Sequence, residues 1–352
     1  MKARGAAIQG ALALTGLVAA YATWQREPER SSGGEVVVLD LGRSELERVR
    51  YDDGSKWVEL QRRSGNPEPS VWVHLGSRPA ASADGGVPDG GAPDAGAVLA
   101  TAKEPKVPDR EVVGNDAAEK LLEKFTPLRA SRALGALDEA KLHELGLSES
   151  KKRMEVTGRG GKRASYVLAS SALGAGAPYL QDQQDKKVYL LGSTILSDLD
   201  GAATRLVDRR LHTFKPADYD SVLVKMDNKQ KEFAQSSSEP VQPLKLTPKK
   251  SPDKPDDFAR NWHDKVLHLI VTEVLGKGEV PAPGEPTPSV RVEYLQRGKP
   301  IGWIELAQGR IATGSAAADL YARTEHTAGW NKVHATGEDL LKEAKKVVSE
   351  DR

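Results

Sequence analysis

Cysteine is absent from this 352-residue chain. Its absence excludes disulfides, thiolate nucleophiles and cysteine-ligated zinc. Aromatic residues are scarce, at 5%, so a core has to be assembled mainly from valine, leucine, isoleucine and alanine. Net charge is nearly absent as well: 51 basic against 50 acidic residues leave +1. That balance gives no general pull toward nucleic acid or acidic surfaces. Long apolar runs are missing with one exception, residues 5–24.

That run holds 20 residues without a charge. At about 1.5 Å per residue a helix of this length covers about 30 Å, the hydrocarbon thickness of a bilayer. Ile8, Leu12, Leu14, Leu17 and Val18 supply its apolar surface, with Tyr21 and Trp24 at the far end, where amphipathic rings suit an interface. A single-pass anchor over residues 1–30, including a short spacer, is the leading expectation. The short basic start points to a cytoplasmic N-terminus and an exterior (periplasmic) remainder. The alternative is export with cleavage near Ala22, where Ala20 and Ala22 flank Tyr21 in a small-x-small pattern.

The rest reads as two α+β modules, residues 35–211 and 218–352, each an antiparallel sheet with helices on one face. In the first, residues 35–41 are rich in β-branched side chains and predict a strand. Residues 46–61 form a hairpin about Asp53-Gly54, and residues 71–75 another strand. From 79 to 97 every residue except Ser82 and Val87 is Pro, Ala, Gly or Asp. Such a stretch buries too little apolar surface to offset its ordering entropy, so a disordered insertion is expected over about 78–110. Asn115 can cap a helix whose apolar face is Ala118, Leu121, Leu122 and Phe125. A second helical piece is expected over 130–137, then hairpins about 158–161 and between 179–182 and 186–191, and a short helix at 193–199. In the second module, residues 219–235 predict a hairpin and 236–255 a Pro-rich loop. Asp256 or Asp257 caps a helix with Phe258, Trp262, Val266, Leu269 and Ile270 on one face. Hairpins at 289–306 and 320–334 and a last helix capped by Thr336 follow.

The order of elements is the same in both halves, and so are several spacings. Tyr179 to Val188 and Tyr321 to Trp330 are both nine residues, and Ala118, Leu122 and Phe125 overlay Trp262, Val266 and Leu269 at one offset of 144. This predicts a duplicated domain. The layout also resembles the bacterial family catalogued as domain of unknown function 4340, through residues 121–132 (LLEKFTPLRASR), 142–147 (LHELGL), 179–193 (YLQDQQDKKVYLLGS) and 321–333 (YARTEHTAGWNKV). The resemblance implies an inner-membrane protein with one N-terminal span and tandem α+β modules. It also implies association with ABC-type transporter subunits of the kind linked to gliding motility. It carries no catalytic residues.

No residue set specifies a reaction. Gly158-Arg-Gly-Gly-Lys162 lacks the Walker pattern, with Val156 and Arg163 at its key positions. His263 and His268 are five apart on a predicted helix, a surface pair rather than a zinc pair. His326 and His334 beside Glu325, and Ser148 with Lys151, lack supporting motifs. Asp52 and Asp53 belong to a turn, while Trp57, Trp262, Trp303 and Trp330 read as core residues. No catalytic, cofactor or metal site is expected. Lys151, Lys152, Arg153, Arg159, Lys162 and Arg163 form one basic cluster, a candidate contact patch for anionic headgroups or an acidic partner; nucleic acid is not an expected partner. The leading expectation is a non-catalytic membrane-anchored accessory or scaffold protein of an envelope assembly. An extracytoplasmic polysaccharide- or peptide-binding module is the alternative, and a hydrolase with a site assembled from distant residues is a third.

Overall fold

The computed structural model describes residues 35–63, 70–78, 109–170, 177–192, 194–236, 244–311, 318–334 and 337–349. One sheet contains β1 (Val36–Leu39), β2 (Leu46–Asp52), β3 (Lys56–Arg63), β4 (Ser70–Ser77), β5 (Arg110–Val113), β6 (Leu128–Ala136), β7 (Arg153–Gly158), β8 (Arg163–Ala169), β9 (Tyr179–Asp182) and β10 (Lys187–Leu191). Its order is β1-β6-β10-β9-β8-β7-β2-β3-β4-β5. The other contains β11 (Ser221–Met226), β12 (Lys229–Ser236), β13 (Lys245–Pro248), β14 (Ile270–Val274), β15 (Thr287–Gln296), β16 (Lys299–Gln308), β17 (Leu320–Thr324) and β18 (Asn331–His334). Its order is β13-β12-β11-β15-β16-β17-β18-β14. Helices are α1 (Asp116–Glu123), α2 (Glu139–Glu144), α3 (Thr194–Asp200), α4 (Ala202–Arg205), α5 (Asp257–Leu267) and α6 (Gly337–Ser349).

Read from its other edge, the second sheet runs β14-β18-β17-β16-β15-β11-β12-β13, and the middle of the first runs β6-β10-β9-β8-β7-β2-β3-β4. The connectivity is the same strand for strand, with β1 and β5 added at the edges of the first. Registers match too. Tyr179 faces Leu190 as Tyr321 faces Lys332. Arg48 faces Gln61 as Ser221 faces Ala234.

Alternation along the strands sends one set of side chains to a core and the other to an open face. In the first sheet Val49, Tyr51, Leu60, Val156 and Leu168 point inward to meet Leu121, Leu122, Leu196 and Leu199 from the helices. In the second, Val222, Phe233, Val292 and Ile304 meet Trp262, Val266 and Ala344. Each sheet also carries a small apolar cluster outside its main core: Leu147, Val167, Ala169 and Val188 in one, Leu275, Ala307, Tyr321 and Trp330 in the other. Helix starts follow their caps. Asn115 Oδ1 accepts from the Ala117 and Ala118 amides at 2.9 and 3.1 Å, and Asp256 Oδ1 from Ala259 at 2.9 Å.

The α+β expectation is corrected: the described residues are 46% strand and 21% helix, in two antiparallel sheets. Of residues 130–137, read as helix, all but Leu137 belong to β6, because β1 and β10 flank them and supply backbone partners. The helix read through Ile270 stops at Leu267. Ile270 begins β14 and is 64% exposed. Three further strands were not expected: β13 lies in the stretch read as loop, β5 begins at the end of the expected insertion, and β14 begins at the end of the expected helix. The single-pass inner-membrane placement is corrected as well. Among the described residues no helix is long and apolar enough to cross a membrane. Residues 5–24, with Ile8, Leu12, Leu14, Leu17, Val18, Tyr21 and Trp24, lie outside the described residues, as do 79–108 of the insertion and Thr336. The anchor therefore has no support and is not carried forward.

The segment between the sheets is pinned by side chains. Leu211 packs into the second core, and Thr324 Oγ1 donates to the Leu211 carbonyl at 2.5 Å. The Asp208 carboxylate lies 3.0 Å from His326 Nε2 and accepts from Arg210 Nη2 at 2.7 Å. Burial alone would raise the Asp208 pKa, but these hydrogen bonds hold it well below the ordinary carboxylate range. Further contacts join β5 to the end of β14 and the segment after it. The Lys277 amide donates to Glu111 O at 2.8 Å and Arg110 Nη1 to Val274 O at 3.0 Å.

Candidate anion-binding groove

The six basic residues grouped by the sequence do not form one patch. Lys152 is paired with Asp200 at 2.8 Å and Lys162 with Glu45 at 3.4 Å. A backbone hydrogen bond from Gly42, then Lys162, keeps the Glu45 carboxyl below its ordinary range. Arg153 Nη1 donates to the carbonyls of Ser150 and Lys152 at 2.6 and 3.2 Å. Lys151 and Arg153 line one groove, at the Asp52 end of β2. Arg159 and Arg163 line another, at the opposite end of the same ladder.

That second groove encloses about 610 Å³ and is lined by Arg43, Arg48, Arg62, Arg159 and Arg163, with Glu47 as its one carboxylate. The strand registers explain the convergence. Gln61 faces Arg48, Arg48 faces Thr157, and Thr157 faces Arg163. These four residues form a row across β3, β2, β7 and β8, with neighbours about 5 Å apart. Two arginines therefore flank a threonine on the open face. Arg159 joins from the tight turn between β7 and β8, where Gly160 and Gly161 take φ of 74° and 81°. These left-handed values suit glycine and keep the turn short.

The charges in the groove are unevenly satisfied. Arg43 and Arg62 both reach Glu119 on α1. Arg48 shares Glu59 with Arg50, at 3.5 and 3.3 Å. Arg159 and Arg163 have no carboxylate partner among the described residues. Thr157 Oγ1 is buried and has no hydrogen-bond partner among them. The next row along the sheet is Glu59, Arg50, Glu155 and Ser165, and the one after it Trp57, Asp52, Arg153 and Val167. Their formal charges are −1 and 0, against +2 for the first row. Among these three rows the excess cation lies in the first, while Arg78 and Lys151 add positive charge beside the Asp52 end.

The second sheet provides an internal comparison. Its matching row is Ala234, Ser221, Leu295 and Pro300, with no charge at all. Three cations on its open face are paired: Lys225 and Arg291 bond Glu293 at 2.8 and 2.9 Å, and Arg291 and Arg323 bond Glu305 at 2.8 and 2.6 Å. Burial would raise the Glu305 pKa, but the two arginines hold it low. The shared fold thus forms without arginine at these positions, and the row in the first sheet is not a requirement of folding.

Other sequence candidates have structural surroundings. Ser148 Oγ donates to Glu139 at 2.9 Å. Asp53 Oδ1 accepts from Ser55 and Lys56 at 2.8 Å within its turn. His263, expected at the surface, is 1% exposed, because its place on α5 turns it toward Tyr219 and Tyr294. Trp262 and Trp330 are buried, whereas Trp57 and Trp303 lie half-buried on the open faces beneath Arg50 and Arg291, 4.3 and 4.4 Å from guanidinium to ring. Arg323 covers Trp330 at 4.4 Å, so that ring is no open platform for a sugar. Among the described residues no group of three or more His, Cys, Asp or Glu is arranged to hold a metal ion. The groove itself was missed because positions 48, 61, 157 and 163 meet only through register; the hairpin turns at Asp53-Gly54 and residues 158–161 were the signal that could have aligned them.

No family model, curated protein or solved structure matches the chain. The resemblance to the domain of unknown function 4340 family gains no support from this, and the transporter association drawn from it is set aside.

Proposed function

We propose that this protein is a non-catalytic binding and scaffold protein that holds an acidic polymer on the open face of its first sheet. The observation that carries the reading is the Gln61–Arg48–Thr157–Arg163 row with Arg159 beside it, in a chain of net charge +1. Concentrating guanidinium groups at one end of one sheet, two of them without a carboxylate partner among the described residues, creates a local field that the overall composition does not. The planar fork of donors on a guanidinium group suits carboxylate, sulfate and phosphate groups. The second sheet, where Lys225, Arg291 and Arg323 are internally paired, serves as scaffold.

The test is titration of the full chain with fluorescently labelled heparin at two salt concentrations. Binding is expected, and it weakens as salt rises because the contacts are exposed charges. Arg163→Ala and Arg159→Ala each reduce affinity about tenfold, whereas Arg291→Ala on the second sheet leaves it unchanged. Equal losses for Arg163→Ala and Arg291→Ala, or no binding at all, overturn the reading.

A further inference from the structure

Resting on that reading, we infer that the groove is built for a tetrahedral oxyanion ester, a phosphate or sulfate monoester group on the ligand, rather than for a carboxylate. A carboxylate presents two coplanar oxygens, and a single guanidinium satisfies both in a bidentate pair. The groove offers more than that. Arg48 and Arg163 stand on either side of Thr157, about 10 Å apart at their backbones, two strand spacings. Arg159 approaches from the β7–β8 turn beside the row. The Thr157 hydroxyl lies beneath them, buried and without a partner among the described residues. Arg159 and Arg163 form no ion pair among the described residues, while Arg48 reaches Glu59 at 3.5 Å and Glu47 is the one carboxylate lining the groove. Donors arriving from two sides, from the turn and from the floor match an anion with three outward oxygens around one centre. Such a group meets both flanking arginines, the third arginine and the hydroxyl together; a planar carboxylate leaves at least two of them unused.

The second sheet sharpens the assignment. At the threonine position it has Leu295, at the Arg48 position Ser221 and at the Arg163 position Pro300. The hydroxyl on the floor and the guanidinium groups on its two sides are missing together, as expected if they act as one binding set and not as separate surface residues.

The experiment is calorimetric titration of the full chain with methyl phosphate, methyl sulfate and acetate at matched ionic strength. At least one ester is expected to bind about tenfold more tightly than acetate. Methyl phosphate binding strengthens from pH 5.5 to 7.5 as its second proton leaves near pH 6, and methyl sulfate binding does not change; the tighter ester names the source. Thr157→Val, which keeps the branched shape and removes the hydroxyl, weakens ester binding about fivefold and leaves acetate unaffected. Arg48→Ser copies the side chain that the second sheet folds with at this position, and it abolishes the preference for ester. An unfolding midpoint equal to wild type confirms that each variant is folded. Heparin binding with equal affinities for the esters and acetate overturns this inference and leaves the acidic-polymer reading standing. Loss of heparin binding as well removes both.

Discussion

Replacing Trp262 by alanine removes about 3–5 kcal/mol of stability, the range for deleting a large buried aromatic. Trp262 is 1% exposed in the second core. Its indole Nε1 donates to the Leu340 carbonyl at 2.9 Å, tying α5 to α6. The substitution removes both the packing and that donor, so a cavity and an unpaired buried carbonyl remain. The first sheet has its own core, in which Ala118 occupies the position matching Trp262 by the offset of 144 residues. Urea unfolding followed by hydrogen exchange is expected to show loosened amides in β11, β15 and β16 and little change in β2, β3 and β7. Trp303→Ala, on the open face beneath Arg291, costs only about 1 kcal/mol. Equal losses from the two substitutions would contradict the assignment of Trp262 to the core and Trp303 to the surface.

The second large effect concerns pH. His263 is buried against Tyr219 and Tyr294, and Tyr294 in turn packs on His212 and Phe214 of the connecting segment. Neither ring nitrogen has a hydrogen-bond partner among the described residues. Burial, and to a lesser degree the nearby His212 and His268, lower its pKa to about 3. An unfolded histidine titrates near 6.5. Between those values the unfolded chain binds a proton that the folded chain refuses, so stability rises with pH in this window. It is fully present above about 6.5 and is lost as pH falls toward 3. By pH 5 this group alone costs about 2 kcal/mol relative to pH 7.5. His263→Leu removes the titrating group and two unpaired buried nitrogens, so it is expected to be near neutral or stabilising at pH 7.5. Urea midpoints at pH 5 and 7.5 measure the difference. The wild type should lose about 2 kcal/mol more than the variant between the two pH values; identical losses would contradict the buried neutral state.

Much of the hairpin architecture is legible from local chemistry. Asp53-Gly54 sets the β2–β3 turn, and residues 158–161 set the β7–β8 turn. The equal spacing of Tyr179–Val188 and Tyr321–Trp330 reflects two hairpins of one register. Asn115 and Asp256 cap their helices through ordinary side-chain acceptors. Residues 128–136 were not legible. Leu, Arg and Ala there favour helix intrinsically, but β1 and β10, distant in sequence, fix them as a strand between two partners. The short strands β5, β13 and β14 have too few residues for a period to register. His263 was misplaced because a single polar residue on a helix gives no sign of which neighbours will cover it.

The groove was illegible for a related reason. Lys151, Lys152 and Arg153 are consecutive and look like a cluster, yet strand geometry and the Lys152–Asp200 pair disperse them. Arg48 and Arg163 are far apart in sequence and are brought to either side of Thr157 only by antiparallel register. Composition hides them as well, because equal numbers of acids and bases conceal a local excess.

Hydrogen exchange on the full chain, with and without heparin, tests the central claim most directly. Binding at the arginine row slows exchange in the turn over residues 158–163 and in the chain entering β2 at residues 42–48. Exchange in the matching turn between β15 and β16, which contains Arg297 and Gly298, stays unchanged. Equal protection of the two turns, or protection confined to residues 151–153, would contradict the assignment of ligand binding to this groove.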